Sequence, residues 1–220
     1  IRSGDCEQFS SIPRPGHADF TASKKFSGFA DMRGSGHFSG RITWGIVAAG
    51  VLAKKIIGKS DISAKLISAG GSHDIEGALK KAIEENDSIG GIIECTVKNL
   101  PAGIGEPFFN SVESVISHVV FSIPAVKGIE FGSGFASSSM KGSVHNDPFI
   151  NEHGKTSTNN AGGINGGITN GNDLIFRVAV KPTSSTGTVQ TTYNFSKKEM
   201  QTLKVEGRHD TCIALRMPVI

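Results

Sequence analysis

Residues 64–99 read AKLISAGGSHDIEGALKKAIEENDSIGGIIECTVKN, and the order of patterns in this stretch decides the fold class. Residues 64–69 are a short, mainly apolar run closed by Gly70-Gly71, which reads as a strand. Residues 72–86 predict an amphipathic helix, with a capping-box signature at Ser72 and Ile75-Glu76 and mixed charge on the outer face. Residues 90–99 alternate well enough for a second strand. Upstream, Thr43 reads as the cap of a helix running to Ile57, with Val47, Ala48, Val51, Leu52, Ile56 and Ile57 on one apolar face. Downstream, residues 107–120 read as a further helix, and Phe109, Val112, Val115, Ile116 and Val119 fall at core spacing. Strands are expected at 128–131, 173–182 and 189–195, with a short polar segment starting at 196–199, while residues 1–41 are dominated by turn formers. Helices and strands follow one another without a regular βαβ alternation. An α+β fold with mainly antiparallel pairing is therefore expected, in preference to a doubly wound sheet.

Composition narrows the function classes. A chain of 220 residues can bury a sizeable core as one domain or two small ones, and a hydrophobic fraction of 37% with a mean hydropathy of −0.10 describes a globular protein. The longest apolar candidate, residues 42–57, is interrupted by Gly45, Gly50 and Lys54-Lys55, so no membrane span is expected. The net charge of +3 is dispersed, and only Trp44 and Tyr193 accompany the scattered phenylalanines, so neither a basic stripe nor an aromatic platform for nucleic acid is visible. Small anionic ligands fit this balance better. Cys6, Cys95 and Cys212 are odd in number and lack metal-ligand spacing, which predicts reduced thiols in a cytoplasm and no metal. The chain opens on Ile1 without a signal-peptide pattern and closes on the apolar Met217-Pro218-Val219-Ile220, so it is expected to be a piece of a longer polypeptide.

Four loops carry anion chemistry. Arg14-Pro15-Gly16-His17-Ala18-Asp19 sets a guanidinium, an imidazole and a carboxylate around a Pro-Gly turn, and Gly207-Arg208-His209-Asp210 repeats that chemistry near the other end. Either could be a solvated surface turn; the recurrence favours a site. Lys181-Pro182-Thr183-Ser184-Ser185 offers one ammonium and three hydroxyls at a Pro-fixed turn, the donor density a phosphomonoester needs. Gly34-Ser35-Gly36-His37-Phe38-Ser39-Gly40-Arg41 precedes the Thr43 helix, where unpaired N–H groups favour anions. One shared anionic pocket explains Arg14, Arg41, Lys181 and Arg208 more simply than four unrelated turns. The glycine-rich stretch 162–171 admits two readings, a flexible linker or backbone brought close to a flat or phosphorylated ligand with Asn159-Asn160 alongside. It lacks both the dinucleotide fingerprint and a Gly-Lys-Ser/Thr ending, which argues against a nucleotide triphosphate.

The joint pattern resembles the chorismate synthase family. The resemblance rests on Arg14-Pro15-Gly16-His17-Ala18-Asp19, Val47-Ala48-Ala49-Gly50 with Ala53-Lys54-Lys55, Asp87-Ser88-Ile89-Gly90-Gly91 with Glu94-Cys95, and Ser122-Ile123-Pro124-Ala125-Val126-Lys127-Gly128. Asn160-Ala161-Gly162-Gly163 with Gly166-Gly167-Ile168, Lys181-Pro182-Thr183-Ser184-Ser185 and Gly207-Arg208-His209-Asp210 continue it in the family's order over nearly the whole chain.

The resemblance implies a carbon–oxygen lyase of the shikimate pathway, which serves aromatic amino-acid biosynthesis. Its members convert 5-enolpyruvylshikimate 3-phosphate to chorismate by anti-1,4 elimination of phosphate and a ring proton. They need reduced FMN (FMNH2), thought to lend an electron transiently without net oxidation. The implied fold is an α+β sandwich of antiparallel sheets wrapped by helices, assembled as a homotetramer, with residues 1–220 forming one portion of a single catalytic domain. By similarity, His17 would protonate or stabilise the reduced flavin ring and Asp210 would assist proton transfer at the flavin N5. Arg14, Arg41 and Arg208 would hold the substrate. His37, Phe38, Ser39, Pro124, Ala125, Gly166, Lys181, Pro182, Thr183, Ser184, Ser185 and Arg208 would line the FMN site. Many members have Gly-Arg-Ser-Ser-Ala-Arg-Glu-Thr where this chain has Gly36-His37-Phe38-Ser39-Gly40-Arg41-Ile42-Thr43, so His37 stands where an arginine is common. The family's Gly-Glu-Ser-His-Gly motif, with a second catalytic histidine, has no counterpart in these residues, and the chain alone is expected to be inactive. NADPH enters only indirectly, through whatever reduces the flavin. The alternative is a non-catalytic flavin- or phosphate-binding fragment that keeps the fold and the oligomer contacts.

Overall fold

The computed structural model describes residues 8–31, 33–207 and 209–220. Cys6 and Arg208, both singled out from the sequence, lie outside the described residues. The deciding stretch folds as β1 (Asp61–Ala69), helix α3 (Ile75–Glu84) and β2 (Gly91–Lys98), following α1 (Asp19–Lys25) and α2 (Trp44–Ile57). Strand β1 pairs antiparallel with β2, β2 with β6 (Leu174–Val180), and β6 with β3 (Val126–Phe131), giving the order β1-β2-β6-β3. The α+β class with antiparallel pairing holds, and no helix among the described residues is long and apolar enough to cross a membrane. Two ribbons complete the fold: β4 (Ile164–Asn165) with β5 (Ile168–Thr169), and β7 (Gln190–Asn194) with β8 (Glu199–Leu203).

The four-stranded sheet is amphipathic because its registers align residues of like polarity. Ile93 faces Val178, Cys95 faces Phe176 and Val97 faces Leu174, so one face is apolar. That face carries the core of Ile93, Val126, Leu174, Phe176, Val178 and Val180. Ile75 and Leu79 of α3 and Val112, Ile116 and Val120 of α4 (Val112–Val120) pack against this core. A C-terminal 3-10 turn, Ile213–Val219, seats Ala214 and Met217 in it. The alternate residues place a charge ladder across the other face. Lys65 reaches Glu94 at 3.4 Å, Arg177 reaches Glu94 at 3.1 Å and Glu130 at 3.4 Å, one residue from each strand.

Several local expectations need correction. Helix α3 is capped by Asp74, whose carboxylate accepts the Gly77 N–H at 3.0 Å, and Ser72 instead accepts the Asp74 N–H. Thr43 makes no side-chain cap for α2; its hydroxyl donates to the Gly40 carbonyl. Residues 108–110 form a 3-10 turn, and α4 begins only at Val112, capped by Ser111. The turn takes Phe109 off the helix, leaving it 92% exposed, and within the helix the inward stripe is Val112, Ile116 and Val120, so Val115 and Val119 are exposed, contrary to their core assignment. The apolar face of α2 is likewise not buried; it borders an open groove of about 470 Å³ against the apolar sheet face. Residues 19–25 form a helix in a segment read as loop, and the polar segment after 195 turns into β8.

The glycine-rich stretch is neither a linker nor a ligand cradle over most of its length. A Cβ on Gly162 would meet the Gly132 nitrogen at 2.4 Å, and one on Gly163 would meet the Asp173 carbonyl oxygen at 2.6 Å. The missing side chains let this loop lie directly on the β3–β6 strand ends, where the Ile175 N–H donates to the Gly162 carbonyl. Asn159 locks the same loop, its amide donating to Asp173 O and its carbonyl accepting from Gly163 N–H.

Candidate functional site

A second, smaller core brings the chain's beginning to its end. Phe9 and Ile12 pack with Leu203 and Val205, the Phe195 N–H donates to the Ser11 carbonyl, and Phe20 stacks on Phe195 at 5.2 Å. This clamp carries the Pro-Gly turn of residues 14–17 to the 181–185 loop. There Lys181 Nζ donates to the Gly16 carbonyl at 2.6 Å and to Ser184 Oγ at 2.8 Å, while Ser184 Oγ donates to the same carbonyl at 2.7 Å. Burial and the charge of Lys127 push the Lys181 ammonium below its ordinary value.

Arg14 is turned inward. Its Nε and Nη2 both donate to Asp19 at 2.8 Å, Nη1 donates to Ser185 Oγ at 3.2 Å, and the guanidinium lies 4.3 Å from the Phe9 ring centre. Burial alone would raise the Asp19 carboxyl, but the hydrogen bonds and charges of Arg14 and His17 outweigh it and hold Asp19 far below the usual carboxylate range. The Nη1 edge of Arg14 is turned toward Ser185.

Beyond Ser185 opens a cavity of about 790 Å³, lined among others by Ser39, Arg41, Thr183, Ser185, Asp210 and Arg216. Among the described residues its walls carry the guanidiniums of Arg41 and Arg216, the His209 imidazole, several hydroxyls and the Asp210 carboxylate, with Ile213, Met217 and Val219 supplying an apolar side. Ser39 Oγ accepts from both the backbone N–H and Nε of Arg41 at 3.2 Å, which fixes the root of that side chain. Asp210 accepts from Arg216 Nη2 at 2.8 Å, and His209 Nε2 contacts the Val205 carbonyl at 2.9 Å. The hydroxyl oxygen of Thr183 is buried and has no hydrogen-bond partner among the described residues, while the residue itself lines the cavity. An orphaned buried hydroxyl is costly unless a ligand satisfies it.

The 181–185 loop is braced from behind. Ser88 Oγ donates to the Thr183 carbonyl at 2.7 Å, and Lys181 N–H donates to the Ala125 carbonyl at 2.9 Å. Ala125 holds φ +74°, a conformation L residues rarely adopt, to present that carbonyl. Pro182 packs near Gly90, and Pro124 precedes Ala125 on the same turn without reaching the cavity wall.

The structure thus brings together Arg14, His17, Ser39, Arg41, Lys181, Thr183, Ser184, Ser185 and Asp210 in two adjoining groups that meet at Ser185. It does not bring His37, Phe38 or Gly166 to the cavity wall: the first two are exposed on the 3-10 segment Arg33–Phe38, and Gly166 sits in the β4–β5 turn with φ +61°. Ser88 and Arg216 were not singled out from the sequence. Ser88 stands only within the 87–91 motif, without a role, and Arg216 lies six residues beyond Asp210 in the 3-10 segment Ile213–Val219, which begins after Asp210. Cys95 and Cys212 are free thiols, and burial pushes Cys95 up to about 11. Neither is a nucleophile at neutral pH.

Comparison with known proteins gives one answer. The family model for chorismate synthase matches residues 1–220. A chorismate synthase of Chitinophaga pinensis is 59% identical over 220 residues, covering 100% of this chain and 66% of that protein. Those of Dehalococcoides mccartyi and Thermococcus kodakarensis are 42% and 41% identical, covering 98% and 100% of this chain and 68% and 70% of theirs. A crystal structure of a chorismate synthase superposes with a TM-score of 0.67 at 26% identity, over 73% of this chain and 61% of that one. The chain spans about two thirds of the length of the curated relatives it matches.

Proposed function

The chain belongs to the chorismate synthase family, and from that premise we propose that it carries the larger part of an enzyme converting 5-enolpyruvylshikimate 3-phosphate to chorismate and phosphate with reduced FMN. The observation that carries this reading is the cavity at Ser185, which the Arg41 and Arg216 side chains share with Ser39, Thr183 and Ser185, and behind whose wall the Thr183 hydroxyl oxygen lies buried. These groups suit a phosphorylated, anionic ligand. Thr183, Ser184, Ser185 and Lys181 would hold the FMN phosphate, with Ala125, Ser88 and Gly16 fixing the loop that presents them. When bound, reduced FMN supplies an electron-rich ring beside the substrate.

The protein's own share is positioning and charge. Arg41 and the Nη1 edge of Arg14 would take the substrate's phosphate and carboxylates, and Arg208 is assigned there by family resemblance. The substrate arrives with several negative charges and leaves one phosphate behind, so guanidiniums anchored on protein oxygens lower the cost of charge moving to the leaving group. His17 would protonate or stabilise the reduced flavin ring, and Asp210 would assist proton transfer at the flavin N5. We further propose that the protein works in the cytoplasm as a homotetramer, with NADPH acting only through an outside flavin reductase.

Because the chain covers about two thirds of its relatives, a second reading is carried beside the first: taken alone, these residues bind flavin or phosphate without turnover. Anaerobic assay of phosphate release with reduced FMN tests both. Turnover by the complete protein, with flavin quenching but no turnover by residues 1–220, is the expected result. Absence of turnover and of flavin binding in the complete protein would overturn the first reading, and full turnover by residues 1–220 the second.

A further inference from the structure

We infer that Asp19 is a positioning residue that fixes the tautomer of His17, placing the ring proton on Nδ1 and making Nε2 the nitrogen through which this histidine exchanges protons. The inference rests on the proposed function for its consequence, but its physical content is independent of it. Asp19 is the first residue of α1 and is 3% exposed. Its Oδ2 accepts from the backbone N–H of Arg14 at 3.1 Å and from Arg14 Nε at 2.8 Å. Its Oδ1 accepts from Arg14 Nη2 at 2.8 Å and lies 2.6 Å from His17 Nδ1. A nitrogen and an oxygen at that separation require a proton between them, since two facing lone pairs would repel. With two guanidinium donors and a backbone N–H on it, the carboxylate is the partner that stays ionised, so the proton belongs to Nδ1. The Nη2–Nδ1 approach of 3.1 Å is then a by-product of two donors sharing Oδ1.

The arrangement works as a carboxylate–imidazole pair in which the acid sets the direction of the base without taking its proton. Arg14 has a part in this that the sequence does not reveal: its planar fork holds the carboxylate still, so the carboxylate can hold the ring. A His17 with the opposite tautomer would present an acceptor to Asp19 and the wrong hydrogen-bonding character at Nε2.

The test is a ¹⁵N NMR tautomer assignment of the histidine-labelled full chain above the ring's titration midpoint, on the native sequence and on Asp19→Asn. In the variant the carboxamide oxygen is claimed by Arg14, and its NH2 turns toward the ring. The native spectrum is expected to show His17 with Nδ1 protonated, and Asp19→Asn to convert it to the Nε2–H form. A native chain with Nε2–H, which needs no variant to observe, or a variant that keeps Nδ1–H, overturns the inference. In the complete protein the same variant is expected to lower kcat at least ~100-fold while FMN affinity stays within threefold. An unmodified protein without chorismate synthase turnover whose His17 carries Nδ1–H would sink the proposed function and leave the role of Asp19 standing.

Discussion

Replacing Gly163 and Gly166 by alanine, one at a time, separates two jobs inside one glycine-rich motif. Gly163 holds φ +84°, and a Cβ there would lie 2.6 Å from the Asp173 carbonyl oxygen and 2.9 Å from the Leu174 Cα. The left-handed backbone costs an L residue about 1–2 kcal/mol, and forcing a methyl into packed backbone adds about 1–3 kcal/mol. The sum is roughly 2–5 kcal/mol, which for a chain of this length lowers Tm by roughly 4–20 °C. Gly166 holds φ +61° but meets nothing within 4 Å, so only the conformational cost applies there. That amounts to about 1–2 kcal/mol, or roughly 2–8 °C, and asparagine should recover most of it. Thermal unfolding followed by far-UV circular dichroism reads the order directly. If Gly163→Ala proves as mild as Gly166→Ala, the loop does not lie against β6 as described, and the packing argument for the whole stretch fails.

Other outcomes follow from the site's bracing. Thr183→Val keeps the shape of the side chain and removes the orphaned hydroxyl, so stability should hold or rise while FMN affinity, measured by fluorescence quenching, drops roughly 5- to 30-fold; unchanged affinity would remove Thr183 from the ligand's contacts. Ser88→Ala strips a donor from the Thr183 carbonyl and should cost about 1–2 kcal/mol in urea unfolding, with weaker FMN binding as well. The Asp19 carboxyl is depressed, so the stability it contributes is fully present above the ordinary value of 3.8 and fades as pH falls toward its folded value. The gap in urea midpoint between the native chain and Asp19→Asn should therefore close in acid below about pH 4; a gap that widens as pH falls below about 4 reverses the sign and contradicts the pairing.

The sheet was legible because its strands are apolar runs with clear stops. Gly70-Gly71 ends one and Asn99 another, and β6 alternates buried with half-exposed residues from Leu174 to Val180. Pairing partners were not legible, since register comes from contacts far apart in sequence, such as Glu94 opposite Arg177. Strand β8, EMQTL, escaped because its residues are mostly polar and half of the ribbon faces solvent. Phe109 was misplaced because spacing alone cannot see that Phe108, with φ +60°, breaks the helix before it starts. The anion loops were readable as chemistry; Ser39, Arg41, Thr183, Ser185 and Asp210 line one cavity, whereas Arg14 and Lys181 are not on its wall and reach Ser185 and Ser184 from outside it. What could not be read was which donors are already spent. Arg14 reads as a free fork in the sequence, yet Asp19, five residues on, takes most of it.

The proposed function assigns the cavity beside Ser185 to the flavin and the substrate. A crystal structure of the complete protein with FMN and 5-enolpyruvylshikimate 3-phosphate tests it most directly. Ligand density is expected against Thr183, Ser185, Arg41 and Asp210, with an FMN phosphate oxygen within hydrogen-bonding reach of Thr183 Oγ1. Density lodged elsewhere, against the 162–171 loop or in the groove under α2, with the Ser185 cavity holding only water, would contradict it.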